Sequence, residues 1–141
     1  MLFDDIKNAN IQALKDHDKQ AREILSLLFG KLKNDSIDKG LHGTELPDGD
    51  VLRIIQKTIK ELEEEAESFK KAAREEKVTE LLWQRDLLSK YLPKMMSEEE
   101  IKAEIEKLED KKIPSVMKHF KTNFNGLCDM GLVSKIAKEY Q

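Results

Sequence analysis

Residues 91–101 read Tyr91-Leu92-Pro93-Lys94-Met95-Met96-Ser97-Glu98-Glu99-Glu100-Ile101, a stretch that stops one helix and starts another. The Pro93 ring disfavours helical geometry at the residue before it, so a helix arriving from the N-terminal side ends near Leu92. Ser97, followed by Glu100 and then by the periodic Ile101, Ile105 and Leu108, has the form of a capping box. This punctuation divides the chain into an N-terminal domain, residues 1–93, and a C-terminal domain, residues 94–141. Met95 and Met96 fall in the link, where flexible thioethers suit adaptable packing more than a partner-binding patch.

Upstream of the boundary, apolar residues recur at helical spacing. Leu2, Phe3, Ile6, Ile11 and Leu14 mark a first helix over residues 2–16, and Ala21, Ile24, Leu25, Leu28 and Leu32 mark a second. Gly40 and Gly43 signal a connection, and the segment GTELPDGD feeds a third helix with Asp48 or Asp50 as its N-cap. Val51, Ile54, Ile55, Ile59, Leu62, Ala66 and Phe69 form the longest stripe of the chain. A fourth helix is expected over residues 79–92, carrying Leu81, Leu82, Leu88, Tyr91 and the sole tryptophan, Trp83.

Downstream lie three shorter candidates, over residues 97–109, 114–124 and 129–140. Pro114 opens the second, where its missing N–H removes no helical bond. Helices of this length do not hold alone in water, so they must pack as a bundle. No run of period-two alternation is long enough for a strand. The expected fold class is all-α, with about four helices in the N-terminal domain and a three-helix C-terminal bundle.

Composition narrows the function. The chain has 141 residues, 38% of them charged, with only 6 Gly and 3 Pro, which suits long solvated helices and not a turn-rich β-fold. Its first residues contain acids and no long apolar run, so neither a signal peptide nor a membrane span is expected, and the expected location is cytoplasmic. One cysteine, Cys128, excludes an intramolecular disulfide. Its surroundings favour a small buried hydrophobe over a nucleophile. His17, His42 and His119 occupy three different segments without metal-ligand spacing, and read as surface or half-buried residues. The acidic run 61–67 lacks the histidine of a di-iron motif and reads as a solvated helix face. No phosphate-binding GxxxxGK[ST], dinucleotide GxGxxG or hydrolase GxSxG pattern is present. Neither a metal nor a cofactor is expected.

The charge is unevenly spread. From residue 111 to 141, Lys111, Lys112, Lys118, Lys121, Lys135 and Lys138 stand against Asp129 and Glu139, giving +4, while residues 1–110 carry −7 within the total of −3. A basic stretch suits phosphate backbones, and +4 equally suits an ordinary solvated lysine-rich surface. Arginine is absent from the stretch, which argues against bidentate base reading. No DNA partner is expected.

Three motifs carry a family resemblance. The tail Val116-Met117-Lys118-His119-Phe120, Gly126-Leu127-Cys128-Asp129, Leu132-Val133-Ser134-Lys135-Ile136 resembles the C-terminal signature of the GatB/YqeY family. Tyr91-Leu92-Pro93 followed by Ser97-Glu98-Glu99-Glu100-Ile101 is similar to that family's interdomain element, and Lys15 to Lys19 to a K-x-x-D-K step in its opening helix. The resemblance spans essentially the whole chain. It implies a YqeY-like protein, similar to the tail of the B subunit of the glutamine-dependent aspartyl/glutamyl-tRNA amidotransferase. That tail contacts tRNA, while the chemistry lies in a preceding domain with no counterpart here.

By this resemblance the family class is that of carbon–nitrogen ligases with glutamine as amido-N-donor, and the chain is expected not to be an enzyme alone. The expected partner is tRNA or an aminoacyl-tRNA-handling protein, with Lys111, Lys112, Lys118, Lys121, Lys135 and Lys138 as phosphate contacts. Met117, Gly126, Asp129 and Val133 match the motif in structural roles. Two positions depart from the pattern. Leu127 stands where a basic residue is usual, removing a phosphate contact, and Met130 stands where Gly is usual, with Gly131 one later. The competing expectation is a helical protein-interaction adaptor with no RNA role. A self-sufficient amidotransferase would need a glutaminase nucleophile and an ATP site, and neither motif is visible.

Overall fold

The computed structural model describes residues 1–141 and contains seven α-helices and no strand. They are α1 (Leu2–Lys15), α2 (Lys19–Asp38), α3 (Asp48–Lys71), α4 (Glu75–Ser89), α5 (Glu98–Glu106), α6 (Ile113–Asn123) and α7 (Met130–Lys138). The chain is all-α. It divides into two compact units, Met1–Leu92 and Pro93–Gln141. No helix is long and apolar enough to cross a membrane.

In the first unit α1 and α2 form an antiparallel pair. The Asp18 carboxylate accepts from the Ala21 N–H at 3.2 Å and caps α2. Phe3 meets Phe29 with ring centroids 5.2 Å apart. Further along the pair, buried Asn10 accepts from Arg22 Nη1 at 3.2 Å and from Ser26 Oγ at 3.2 Å, so its polar group is satisfied inside the interface. α3 and α4 form a second pair, turned at Ala73, whose φ of 56° lies in the left-handed region. Ile6, Leu28, Leu32, Leu46, Ile55 and Leu88 are fully buried at the centre of this unit.

Two boundaries differ from the sequence expectation. The N-cap of α3 is Pro47, not Asp48 or Asp50. Asp48 is already helical, and its Oδ1 accepts from the Leu2 N–H at 3.0 Å, so the carboxylate serves the start of α1. α4 begins at Glu75 and ends at Ser89, earlier at both ends than residues 79–92. Glu75 and Glu76 in its first turn complement the positive end of the helix dipole. At the other end the Tyr91 and Leu92 N–H groups bond back to Leu88 and Ser89 carbonyls, closing the chain before Pro93.

In the second unit the capping box forms. Ser97 Oγ accepts from the Glu100 N–H at 3.1 Å, and Glu100 Oε1 accepts from the Ser97 N–H at 3.2 Å. These bonds to its charged form hold the Glu100 carboxyl below its ordinary pKa. The core is built on Ile101, Ile105, Val116, Phe120, Val133 and Ile136. Met96 packs against this core, and its N–H donates to the Leu127 carbonyl at 2.9 Å.

Candidate nucleic-acid interface

The lysines of the tail take three different positions. Lys111 Nζ donates to the Leu108 carbonyl at 2.6 Å, and the Lys111 carbonyl accepts from Gln141 Nε2 at 2.7 Å, so this residue holds the α5–α6 connection to the end of the chain. Lys112 is the N-cap of α6, and its N–H donates to Asp110 Oδ1 at 3.0 Å. Asp110 also accepts from Ser115 Oγ at 2.6 Å, and these bonds, Ser115's first, keep its carboxyl below its ordinary pKa. Lys118, Lys121, Lys135 and Lys138 are all exposed.

Helical periodicity pairs these four. Lys118 and Lys121 are three residues apart on α6, as are Lys135 and Lys138 on α7, which brings each pair within about 5–6 Å at Cβ. On α6 the inward positions are Val116 and Phe120, and on α7 they are Val133, Ile136 and Ala137. At 100° per residue, Lys118 falls roughly opposite the buried stripe of α6, with Lys121 on its shoulder, and Lys135 and Lys138 fall opposite that of α7. α6 and α7 pack directly on one another, so the two lysine pairs ride on adjacent helices. The ion pairs of this unit engage Lys102, Lys107 and His119 and leave these four ammonium groups out.

The acidic counterweight lies in the same unit. Between residues 94 and 110, seven acids stand against Lys94, Lys102 and Lys107. The second unit is therefore neutral overall and polarised, with α5 acidic and α6 and α7 basic. Sequence arithmetic alone sets a basic tail beside an acidic remainder. The fold shows that part of the remainder, α5, shares a core with the basic helices.

The family-motif residues shape the support beneath the lysines. Gly126 has φ of 80°, the region that glycine enters without steric cost. Asp129 is the N-cap of α7, accepting from the Gly131 N–H at 2.9 Å. Met117 packs against the core and Val133 is fully buried. Met130 begins α7 with ordinary right-handed backbone, so this position asks nothing of glycine. Leu127 is half-buried, with its N–H bonded to the Phe124 carbonyl and its carbonyl to Met96.

Spacing gave no hint of one further cluster. His119 Nε2 lies 2.9 Å from Glu104 Oε1, and His119 Nδ1 lies 3.1 Å from Asn123 Nδ2. The His119–Glu104 contact ties α5 to α6. His17 and His42 lie in separate turns of the first unit, with φ of 57° and 63°. Cys128 is buried, and burial, then the Asp129 charge, pushes its thiol pKa up, which disfavours a thiolate nucleophile.

These features describe an all-helical protein whose second unit presents paired lysines over a small apolar core. Comparison with family models makes the assignment specific: the Yqey-like protein family matches residues 3–140, and the chain belongs to it. No curated protein matches the chain.

Proposed function

We propose that the chain is a non-catalytic, tRNA-associated accessory protein that docks the phosphate backbone on the lysine pairs of α6 and α7. The observation that carries this reading is the set of four exposed, unpaired ammonium groups on two adjacent helices of a Yqey-like protein. The resemblance of this tail to the tRNA-contacting end of the amidotransferase B subunit supports the choice of RNA. The relation to glutamine-dependent carbon–nitrogen ligases rests on that resemblance and assigns this chain no chemical step. Lys112 contributes from the start of α6, whereas Lys111 acts within the fold.

Fluorescence titration of bulk tRNA at several salt concentrations tests the reading. Saturable binding at about 50 mM salt that weakens steeply by about 200 mM is expected, because each neutralised phosphate releases a counterion. Absence of saturable binding, or binding indifferent to salt, refutes it. A pulldown from nuclease-treated lysate gives an independent check. A stoichiometric protein partner that survives RNA removal, from a chain that fails the tRNA titration, would establish the adaptor reading instead.

A further inference from the structure

We infer that the turn between α1 and α2 docks an acidic segment of a partner protein, seating one of its apolar side chains beside a carboxylate, a role separate from the proposed RNA contacts. Ala13, Leu14, His17, Asp18, Lys19 and Arg22 line a depression of about 150 Å³ at this turn. A space of that size holds a single apolar group as large as benzene.

The backbone makes the depression. α1 ends in a Schellman motif: the His17 N–H bonds to the Leu14 carbonyl at 3.3 Å and the Asp18 N–H to the Ala13 carbonyl at 3.0 Å, with His17 at φ of 57°. In this motif an apolar side chain at the place of Asp18 frequently closes over the one at the place of Ala13. Here the first is a carboxylate turned to the Ala21 N–H as the cap of α2, and the second is a single methyl group. The apolar contact is left open. Leu14 on the lining is 55% exposed, and Ile11, one turn earlier on α1, is 40% exposed.

The charge at the rim selects the occupant. Beyond its Asp18 cap, the first turn of α2 holds no acid and carries Lys19 at the positive end of the helix dipole, where an acid is favoured. Arg22 is fixed from behind, because its Nη1 donates to the Asn10 carbonyl at 3.1 Å and to Asn10 Oδ1 at 3.2 Å. A guanidinium already held in place loses little freedom on meeting a carboxylate, the group its fork fits. Asp16, outside the lining, accepts from Gln12 Nε2 at 2.9 Å. Two cations against one capping carboxylate leave the rim positive, so an acidic neighbour is drawn in and a basic one repelled. A short peptide that gains one apolar seat and one charge contact binds weakly, with Kd on the order of 1 mM.

A two-dimensional NMR titration of the full chain is the test, using an acetylated and amidated peptide of alternating glutamate and leucine taken to about 5 mM. Two control peptides alternate lysine with leucine and glutamate with serine. The glutamate–leucine peptide is expected to shift the amides of residues 13–22 saturably, and each control to bind at least fivefold more weakly. Lys19→Gln is expected to weaken binding about two- to fivefold, the size of an exposed charge contact. Leu14→Ser is expected to weaken it by at least as much, and both side chains are exposed, so circular dichroism should not change. If Leu14→Ser disturbs the fold, Lys19→Gln decides. Absence of a saturable shift in residues 13–22, equal binding of either control, or native affinity in the folded Lys19→Gln chain overturns the inference. An RNA hairpin that shifts these amides while the peptide does not would assign the turn to a phosphate backbone and overturn it as well.

Discussion

Replacing Phe120 with alanine tests whether the lysine platform depends on the core beneath it. Phe120 is fully buried, sits between Lys118 and Lys121 in α6, and packs with Val116, Val133 and Ile136. Removing a buried phenyl ring costs about 3–5 kcal/mol, the transfer loss plus the cavity left behind. A unit spanning Pro93–Gln141 has a total stability of about 2.5–7 kcal/mol at typical values per residue. The substitution therefore removes from roughly half to all of it. Hydrogen exchange read on the α6 amides is the direct assay, since protection there reports the opening free energy of that helix. A loss of 3–5 kcal/mol corresponds to a fall in protection of about 100- to 4,000-fold. RNA binding is expected to fall with it, because the lysine pairs lose their fixed spacing. Protection within tenfold of the native protein would show that the ring does not hold the platform and that the packing argument is wrong.

Four further outcomes follow from the second unit. Ser97→Ala removes the Oγ that accepts from the Glu100 N–H and is expected to destabilise α5 by about 1 kcal/mol, measured by urea unfolding. The Glu100 pKa is depressed in the folded state, so its contribution is present at neutral pH and is lost as pH falls through the carboxylate range. The gap between Glu100→Gln and the native protein should therefore narrow in acid, and a gap that widens there contradicts the assignment. Lys111→Met removes the donor to the Leu108 carbonyl and is expected to lower stability by about 0.5–1.5 kcal/mol. It should leave the salt slope of RNA binding unchanged, whereas a slope that drops by about one would place Lys111 among the phosphate contacts. Glu99→Gln with Glu109→Gln removes two exposed acids from α5 and its trailing loop. Tighter RNA binding is expected at about 10 mM salt, where charges act over about 30 Å, with the gain fading at about 150 mM, where they act over about 8 Å.

The all-helical class, the stop at Pro93 and the start at Ser97 were legible because each rests on local chemistry. The proline ring restrains only its neighbour, the capping box closes within four residues, and a 3.6-residue stripe shows which face needs burial. The start of α4 was missed for an equally physical reason. The left-handed turn at Ala73 has neither glycine nor a polar cap to announce it, so the acidic run beyond it reads as a continuation of α3. Asp48 was misread because its partner, the Leu2 N–H, lies 46 positions away.

The candidate interface divides along the same line. Net charge, the lack of arginine after residue 110 and the three-residue spacing of Lys118 with Lys121 and of Lys135 with Lys138 are properties of the chain as written. Folding alone separated Lys111 from the other lysines, by closing its ammonium on the Leu108 carbonyl, and brought His119 to Glu104. It also placed acidic α5 on the same core as the basic helices, making a neutral but polarised unit. Such pairings join groups on different turns and helices, and their energies exist only once the core has closed around Phe120. Local propensity and periodicity reach across a few residues, whereas the direction in which a charge faces is set by everything packed behind it.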